Sequence, residues 1–277
     1  MSANLQRELA LAIRLARQAG ELIRGFHQSG IAVERKAGNE PVTEADRQAN
    51  ALLVAGLQAG FPDYGMLSEE EPDDGTRLTR ERVWMVDPLD GTKDFIRGFD
   101  GFATMIGLLE GERPALGVVY QPIGDRLYWA SSGAGAWVSD QGGAARPLQV
   151  SAIHDTTQIR MVASKSHRDE KIDRVRAELG IRDELNVGSV GLKLGLIARG
   201  ERDLYVNPNP HAKLWDSCGP EALLTEAGGR ITDAYGKPLT YRTPELGNIR
   251  GLIASNGLLH DEIIARLAPL FGGGVVP

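Results

Sequence analysis

The segment Asp87-Pro88-Leu89-Asp90-Gly91-Thr92 sets two carboxylates three residues apart behind a short apolar run, Val83-Trp84-Met85-Val86. Such a run reads as a buried strand. Proline cannot donate to a sheet ladder, so a turn is expected at Pro88. Asp90-Gly91 is turn chemistry in its own right. Both carboxylates would then stand at the carboxyl end of a strand, where open α/β sheets bind ligands. The Leu89 carbonyl between them could point the same way. Two close carboxylates repel, and one takes up a proton unless a cation lies between them. Oxygen donors without His or Cys suit Mg2+, Mn2+ or Ca2+ better than zinc. A solvated Asp-Gly turn, with Asp87 as a cap, is the competing explanation.

Gly91-Thr92 also opens a short predicted helix, KDFIRG, whose first amide groups could receive a phosphate. The Thr92 hydroxyl could orient a water there. Three further acidic features have ordinary alternatives. Glu69-Glu70-Glu71 follows Ser68 and fits a solvated acidic loop. Asp46 lies three residues after Thr43 and fits a capping box. Asp216, in LWDSCGPEALLTEAGG, fits an N-cap just before a helix.

The elements that must hold these groups are legible from periodicity. Leu5, Leu9, Ala12, Ala16, Ile23 and Phe26 predict a long helix over 3–27. A strand is expected at 31–36, a loop at GNEPV, and a second helix from Thr43 to about Ala59. A short strand leads to Ser68. From 102 to 150, five short strands separated by turn residues predict an antiparallel meander. Beyond 150, strands at 159–164, 203–207 and near 230 and 251 alternate with helices at 169–179, 190–199, 217–227 and 258–269. The first half (1–145) is thus expected to be α+β and to carry most of the acidic residues. The second half (146–277) is expected to be a smaller α/β unit carrying Asp216, with the two forming one compact body.

Of 277 residues, 42% are hydrophobic and 25% charged, which excludes a disordered or collagen-like chain. A net charge of −6 argues against nucleic-acid binding. An acidic protein acting on an anion needs local positive charge, and bound cations would supply it. The single cysteine, Cys218, precludes an intrachain disulfide and suits a reducing cytoplasm. It falls at a predicted helix start and is expected to be a buried, inert thiol. The first twenty residues are broken by Arg7, Glu8, Arg14 and Arg17, unlike a signal peptide. No window has the roughly 18 apolar residues of a membrane span.

PVTEAD, LSEE, WMVDPLDGTKDF and LWDS occur in that order along the chain. Together they resemble the inositol monophosphatase-like superfamily of magnesium-dependent, lithium-sensitive phosphatases. The chain looks most similar to the CysQ-type 3′(2′),5′-bisphosphate nucleotidases of sulfur metabolism. The resemblance covers about residues 5–255. It implies a layered αβαβα sugar-phosphatase fold. It also implies that Glu69, Asp87, the Leu89 carbonyl, Asp90 and Asp216 hold two or three Mg2+ ions, with Mn2+ able to substitute. Asp46 and Thr92 would position and activate the attacking water, and Glu70 would assist through a further water at the ions. No Ser, Cys or His sits in an evident nucleophile motif, so direct in-line attack by water is expected.

For the substrate, Gly91, Thr92 and Lys93 would meet the phosphate, and Lys93 is similar to the nucleotidases rather than the inositol enzymes. Those enzymes place an acidic sugar-binding residue seven positions before the last aspartate, where this chain has Asn209. Ser164-Lys165-Ser166-His167 resembles a Ser-x-Ser-His segment near the nucleoside, so Ser166 and His167 are candidate substrate contacts. Ser189 and Lys193 resemble a second-phosphate region, with Lys213 as a further cation. There the chain reads Gly-Ser-Val-Gly-Leu-Lys, one residue longer than the usual Gly-Ser-Ser-Leu-Lys. The expected reaction is hydrolysis of adenosine 3′,5′-bisphosphate to AMP and phosphate, by a monomer or homodimer. An inositol or sugar monophosphatase, or a silent phospho-ligand-binding regulator, are the alternatives.

Overall fold

A computed structural model describes residues 5–29, 33–35, 41–165, 170–210 and 212–271. The chain opens with α1 (Gln6–Ser29), β1 (Val33–Arg35), β2 (Pro41–Thr43) and α2 (Glu44–Gly60), followed by β3 (Gly65–Ser68) and β4 (Arg82–Asp90). After α3 (Thr92–Ile96) comes the expected meander: β5 (Ala103–Glu110), β6 (Arg113–Gln121), β7 (Arg126–Ser131), β8 (Ala136–Asp140) and β9 (Arg146–Pro147). The rest alternates: β10 (Arg160–Ser164), α4 (Glu170–Leu179), β11 (Asp183–Val187), α5 (Val190–Ala198), β12 (Leu204–Asn207) and α6 (Leu214–Glu226). It closes with β13 (Arg230–Thr232), β14 (Leu252–Ser255) and α7 (His260–Leu267).

Strand alternation sorts these elements into five layers. The larger sheet runs β3-β4-β5-β6-β7-β8-β9, parallel only at β3–β4. Trp84 and Val86 of β4 face a core shared with α1 and α2. Val83 and Met85, their neighbours, face a second core with α5 and α6. The smaller sheet runs β11-β10-β12-β14-β13. Its Val162 and Tyr205 join that second core, while Met161, Ala163, Leu204 and Val206 pack on α4 and α7. The order is helix pair, sheet, helix pair, sheet, helix pair, the expected αβαβα arrangement.

Glycines let the central helix α6 sink onto the larger sheet. A Cβ on Gly117 would lie 2.0 Å from the Gly219 carbonyl oxygen, and one on Gly107 only 2.6 Å from the Gly219 nitrogen. That close approach fixes the depth of Asp216, one turn earlier on the same helix.

Three expectations need correction. Pro88 does not end its strand: β4 continues to Asp90 through a register shift between Asp87 and Asp90. The reason lies in the pairing. β3 stops opposite Val86, so beyond that residue β4 has no neighbour on one side, and the missing proline N–H costs nothing there. Thr104 Oγ1 donates to the Pro88 carbonyl at 2.9 Å and secures the kink. Asp216 does not precede its helix; α6 begins at Leu214 and Asp216 is its third residue. Finally, β11 was not expected; its sequence Asp183-Glu184-Leu185-Asn186-Val187 is polar and mostly exposed, because it is the sheet's edge.

Candidate active site

The irregular end of β4 presents Asp87, Leu89 and Asp90 to a cavity of about 460 Å³. Asp87 is folded back so that its Oδ1 accepts the Leu89 N–H at 2.9 Å, which holds the bulge closed. Gly91 then takes φ +97°, a left-handed conformation, and a Cβ there would meet the Gly101 carbonyl at 2.7 Å. The turn starts α3, whose Asp94 and Phe95 amides both donate to the Gly91 carbonyl at 2.8 and 3.1 Å.

Glu69 and Asp216 line the same cavity from other elements. Glu69 follows β3 and is pinned by its own amide, which donates to the Val86 carbonyl at 3.1 Å. Asp216 Oδ2 accepts the Lys213 N–H at 2.8 Å, the local bond of an N-terminal helical turn. Asp87 is thereby within hydrogen-bonding reach of both the Glu69 and Asp216 carboxyls. Burial raises the Asp87 carboxyl well above the ordinary range, and Glu69, Asp90 and Asp216 push it further. Burial, Asp90 and Glu69 do the same to Asp216.

Asp90 is handled differently. Its Oδ2 accepts the Ser189 hydroxyl at 2.6 Å and the Gly191 N–H at 3.1 Å, both from the start of α5. Ser189 Oγ in turn accepts the Leu192 N–H at 3.1 Å. Burial still raises Asp90, opposed mainly by the Lys193 ammonium. Lys193 is itself 1% exposed and donates to the Gly188 and Val187 carbonyls at 2.6 and 3.2 Å. Burial lowers its ammonium to about 8 against the pull of Asp90, Asp94 and Asp216. Ser189 thus binds Asp90 directly, while Lys193 acts on it through its charge.

Asp46 and Thr92 meet across the fold. The predicted capping box at the start of α2 is formed: Asp46 Oδ2 accepts from the Thr43 amide at 2.8 Å and hydroxyl at 2.6 Å. Its other oxygen, Oδ1, lies 3.2 Å from Thr92 Oγ1, which is also 3.1 Å from the Leu89 carbonyl oxygen. Asp46 is therefore both the cap of α2 and the partner of Thr92. Glu70 lies in the half-buried turn after Glu69. Gly91, Lys93 and Lys213 line the cavity. Ser166 and His167 lie outside the described residues. Tyr205 and Trp215 also line the cavity and were missed. Trp215 is the neighbour of Asp216 in LWDS, the one signal that could have flagged it. Cys218 is buried and its thiol is pushed well above its usual range by that burial, as expected of an inert core thiol.

Among the described residues, no three acidic, His or Cys side chains close on one point as a preformed ion cage. They meet pairwise instead, and the chemistry of the set still fits a hard divalent ion. Carboxylates in contact cannot all be ionised without a cation between them, and every donor is an oxygen.

The profile of the inositol monophosphatase family matches residues 4–270. The chain belongs to that family. Its members are phosphatases that generally depend on Mg2+. The Escherichia coli K12 3′(2′),5′-bisphosphate nucleotidase CysQ is 37% identical over 235 residues, 84% of this chain and 93% of that one. The Mycobacterium tuberculosis histidinol-phosphatase is 34% identical over 264 residues, 94% and 97% of the two chains. Among solved structures, CysQ from Bacteroides thetaiotaomicron superposes with a TM-score of 0.78 at 29% identity, covering 91% of this chain and 98% of its own. An inositol monophosphatase from Thermotoga maritima gives 0.81 at 26%, covering 95% and 97%. No helix among the described residues is long and apolar enough to cross a membrane.

Proposed function

We propose that this chain hydrolyses adenosine 3′,5′-bisphosphate to AMP and inorganic phosphate, with Mg2+ held by Glu69, Asp87, the Leu89 carbonyl, Asp90 and Asp216. The observation that carries the hydrolytic part is the contact of Thr92 Oγ1 with Asp46 Oδ1 beside the carboxylate group. Bound divalent ions would supply hard positive charge to the phosphoryl and leaving oxygens.

The protein's own part is to place a water and take its proton. The Thr92 hydroxyl has one hydrogen and two acceptors within reach, Asp46 Oδ1 and the Leu89 oxygen. With that hydrogen on Asp46 Oδ1, a lone pair of Oγ1 remains to accept one from a water. A proton leaving the water can pass through Thr92 to Asp46, so the chain carries its own general-base relay. The Thr43 amide and hydroxyl hold the far oxygen of Asp46, which keeps the relay aligned. Glu70, in the turn beside Glu69, would assist through a further water at the ions. The Ser189 hydroxyl and the Gly191 amide hold Asp90 Oδ2, and the Lys193 ammonium offsets its charge.

Three observations favour the bisphosphate. The cavity falls in the size range that encloses a whole ligand. Lys93 and Lys213, both half-buried on its lining, can neutralise a second phosphate. Tyr205 and Trp215 add aromatic surface. Four curated relatives of Escherichia coli and Salmonella at 36–37% identity carry the same activity in their names. A buried, reduced Cys218 suits a cytoplasmic setting.

The test is phosphate release from adenosine 3′,5′-bisphosphate, inositol 1-phosphate, histidinol phosphate and fructose 1,6-bisphosphate. Histidinol phosphate belongs in the panel because one relative is named for it. The bisphosphate should lead in kcat/KM by on the order of tenfold or more. Comparable or reversed values remove the nucleotide claim. Absence of Mg2+-dependent release from every compound removes the hydrolase claim.

A further inference from the structure

Asn50 lies one helical turn after Asp46, on the same face of α2. It is buried at 6% exposure and uses both ends of its amide on residues that bracket Glu69-Glu70. Oδ1 accepts the hydroxyl of the buried Ser68 at 2.5 Å. Nδ2 donates to Glu71 Oε1 at 3.1 Å. The same four-residue turn is closed by the Glu71 amide, which donates to the Ser68 carbonyl at 3.4 Å. The Glu69 amide ties it to Val86, next to Asp87. Only Ser68 belongs to a strand, as the last residue of β3; Glu69, Glu70 and Glu71 lie beyond it, and these bonds tie them back to β3, β4 and α2.

We propose that Asn50 is a positioning residue that clamps the Ser68–Glu71 turn and thereby aims Glu69 into the ion site. One helix would then set both parts of the reaction centre. Asp46 holds the water relay and Asn50, a turn later, holds the acidic turn. Shifting one part relative to the other would require shifting α2. The inference rests on the proposal that the carboxylate cluster binds divalent ions.

The experiment titrates Mn2+ into the metal-free protein and counts free ion by EPR, with thermal unfolding in EDTA as a control. Outer partners of ion ligands typically change affinity 10- to 100-fold, so Asn50→Ala should weaken Mn2+ binding by about tenfold. Asn50→Asp separates this role from simple charge. An added carboxylate should tighten cation binding by electrostatics alone. Here it retains the bond to Ser68 but opposes Glu71, and binding should weaken. Glu71→Gln preserves the acceptor and should bind within about twofold of the parent. Combined with Asn50→Asp it exchanges donor and acceptor, and most of the affinity should return.

If the parent protein binds no Mn2+, the ion-site proposal fails. If it binds and Asn50→Ala or Asn50→Asp binds as tightly, only the clamp fails. Lowered thermal stability with unchanged affinity would likewise overturn it, as would absence of rescue in the double substitution. Should Asn50→Ala not fold, the pair Glu71→Gln and Glu71→Ala, which leaves Asn50 in place, decides: equal losses would mean a charge effect and refute the clamp.

Discussion

Replacing Thr92 by valine removes one oxygen and keeps the branched shape. That oxygen joins Asp46 to the Leu89 carbonyl, at 3.2 and 3.1 Å. Its structural worth is small. One half-exposed hydrogen bond contributes on the order of 1 kcal/mol, so the melting temperature should fall by only about 2–4 °C. Its catalytic worth should be far larger. A positioned proton acceptor typically contributes 10²- to 10⁴-fold, equivalent to about 3–5 kcal/mol of the barrier. The loss should fall mainly on kcat, because the relay acts on the attacking water in the chemical step. Steady-state phosphate release at saturating Mg2+ measures it, with KM from the same curves. Thr92→Ser restores the hydroxyl and should recover most of the rate. A Thr92→Val enzyme within about threefold of the parent kcat, or one whose loss lies wholly in KM, would refute the relay. Asp46 is a poorer probe, since Asp46→Asn also disturbs the Thr43 cap and about 1 kcal/mol of helix stability.

His260 is fully enclosed, with Nδ1 2.9 Å from Ser255 Oγ and Nε2 2.9 Å from Thr232 Oγ1. Thr232 donates its hydrogen to the Asp233 carbonyl, so it must accept from Nε2–H, and Nδ1 accepts from Ser255. A second ring proton has no place, and burial, with Arg230 adding to it and Asp261 opposing, lowers the imidazole to about 4. The unfolded chain protonates near 6.5, so this contribution is complete above that pH and is lost as pH falls towards 4. The loss reaches about 3 kcal/mol, and denaturant midpoints should fall across that window, but not for His260→Gln. Gly117→Ala drives a Cβ into the Gly219 carbonyl; it should cost about 1–3 kcal/mol or more and reduce activity by displacing Asp216, seen by melting and phosphate release together. Lys193→Met removes the buried cation facing Asp90, Asp94 and Asp216. The Val187 and Gly188 carbonyls also lose their donor; leaving a buried acceptor unsatisfied costs about 1–3 kcal/mol, and saturating Mg2+ should restore part of the melting temperature that the EDTA-treated variant loses.

Features that depend on neighbours along the chain were legible in the residues alone. The run from Asp87 to Thr92 carries part of its own geometry, because the Gly91 turn and the start of α3 are local events. The Thr43–Asp46 box and the alternating strands are local in the same sense. Pro88 misled because its tolerance depends on where β3 stops, which is a fact about another strand. An aspartate at the third helical position, as Asp216 is in α6, and one at the cap share the same composition signal. Pairings across distance came only with packing. Ser189 reaches Asp90 from 99 residues away, and the burial of Lys193, expected to meet a second phosphate, comes only from packing α5 between two sheets. Asn50 had no motif at all. Its two bonds exist only because α2 lies against the end of β3, and hydrogen bonds between packed elements follow the register of packing, which no local pattern of residues encodes.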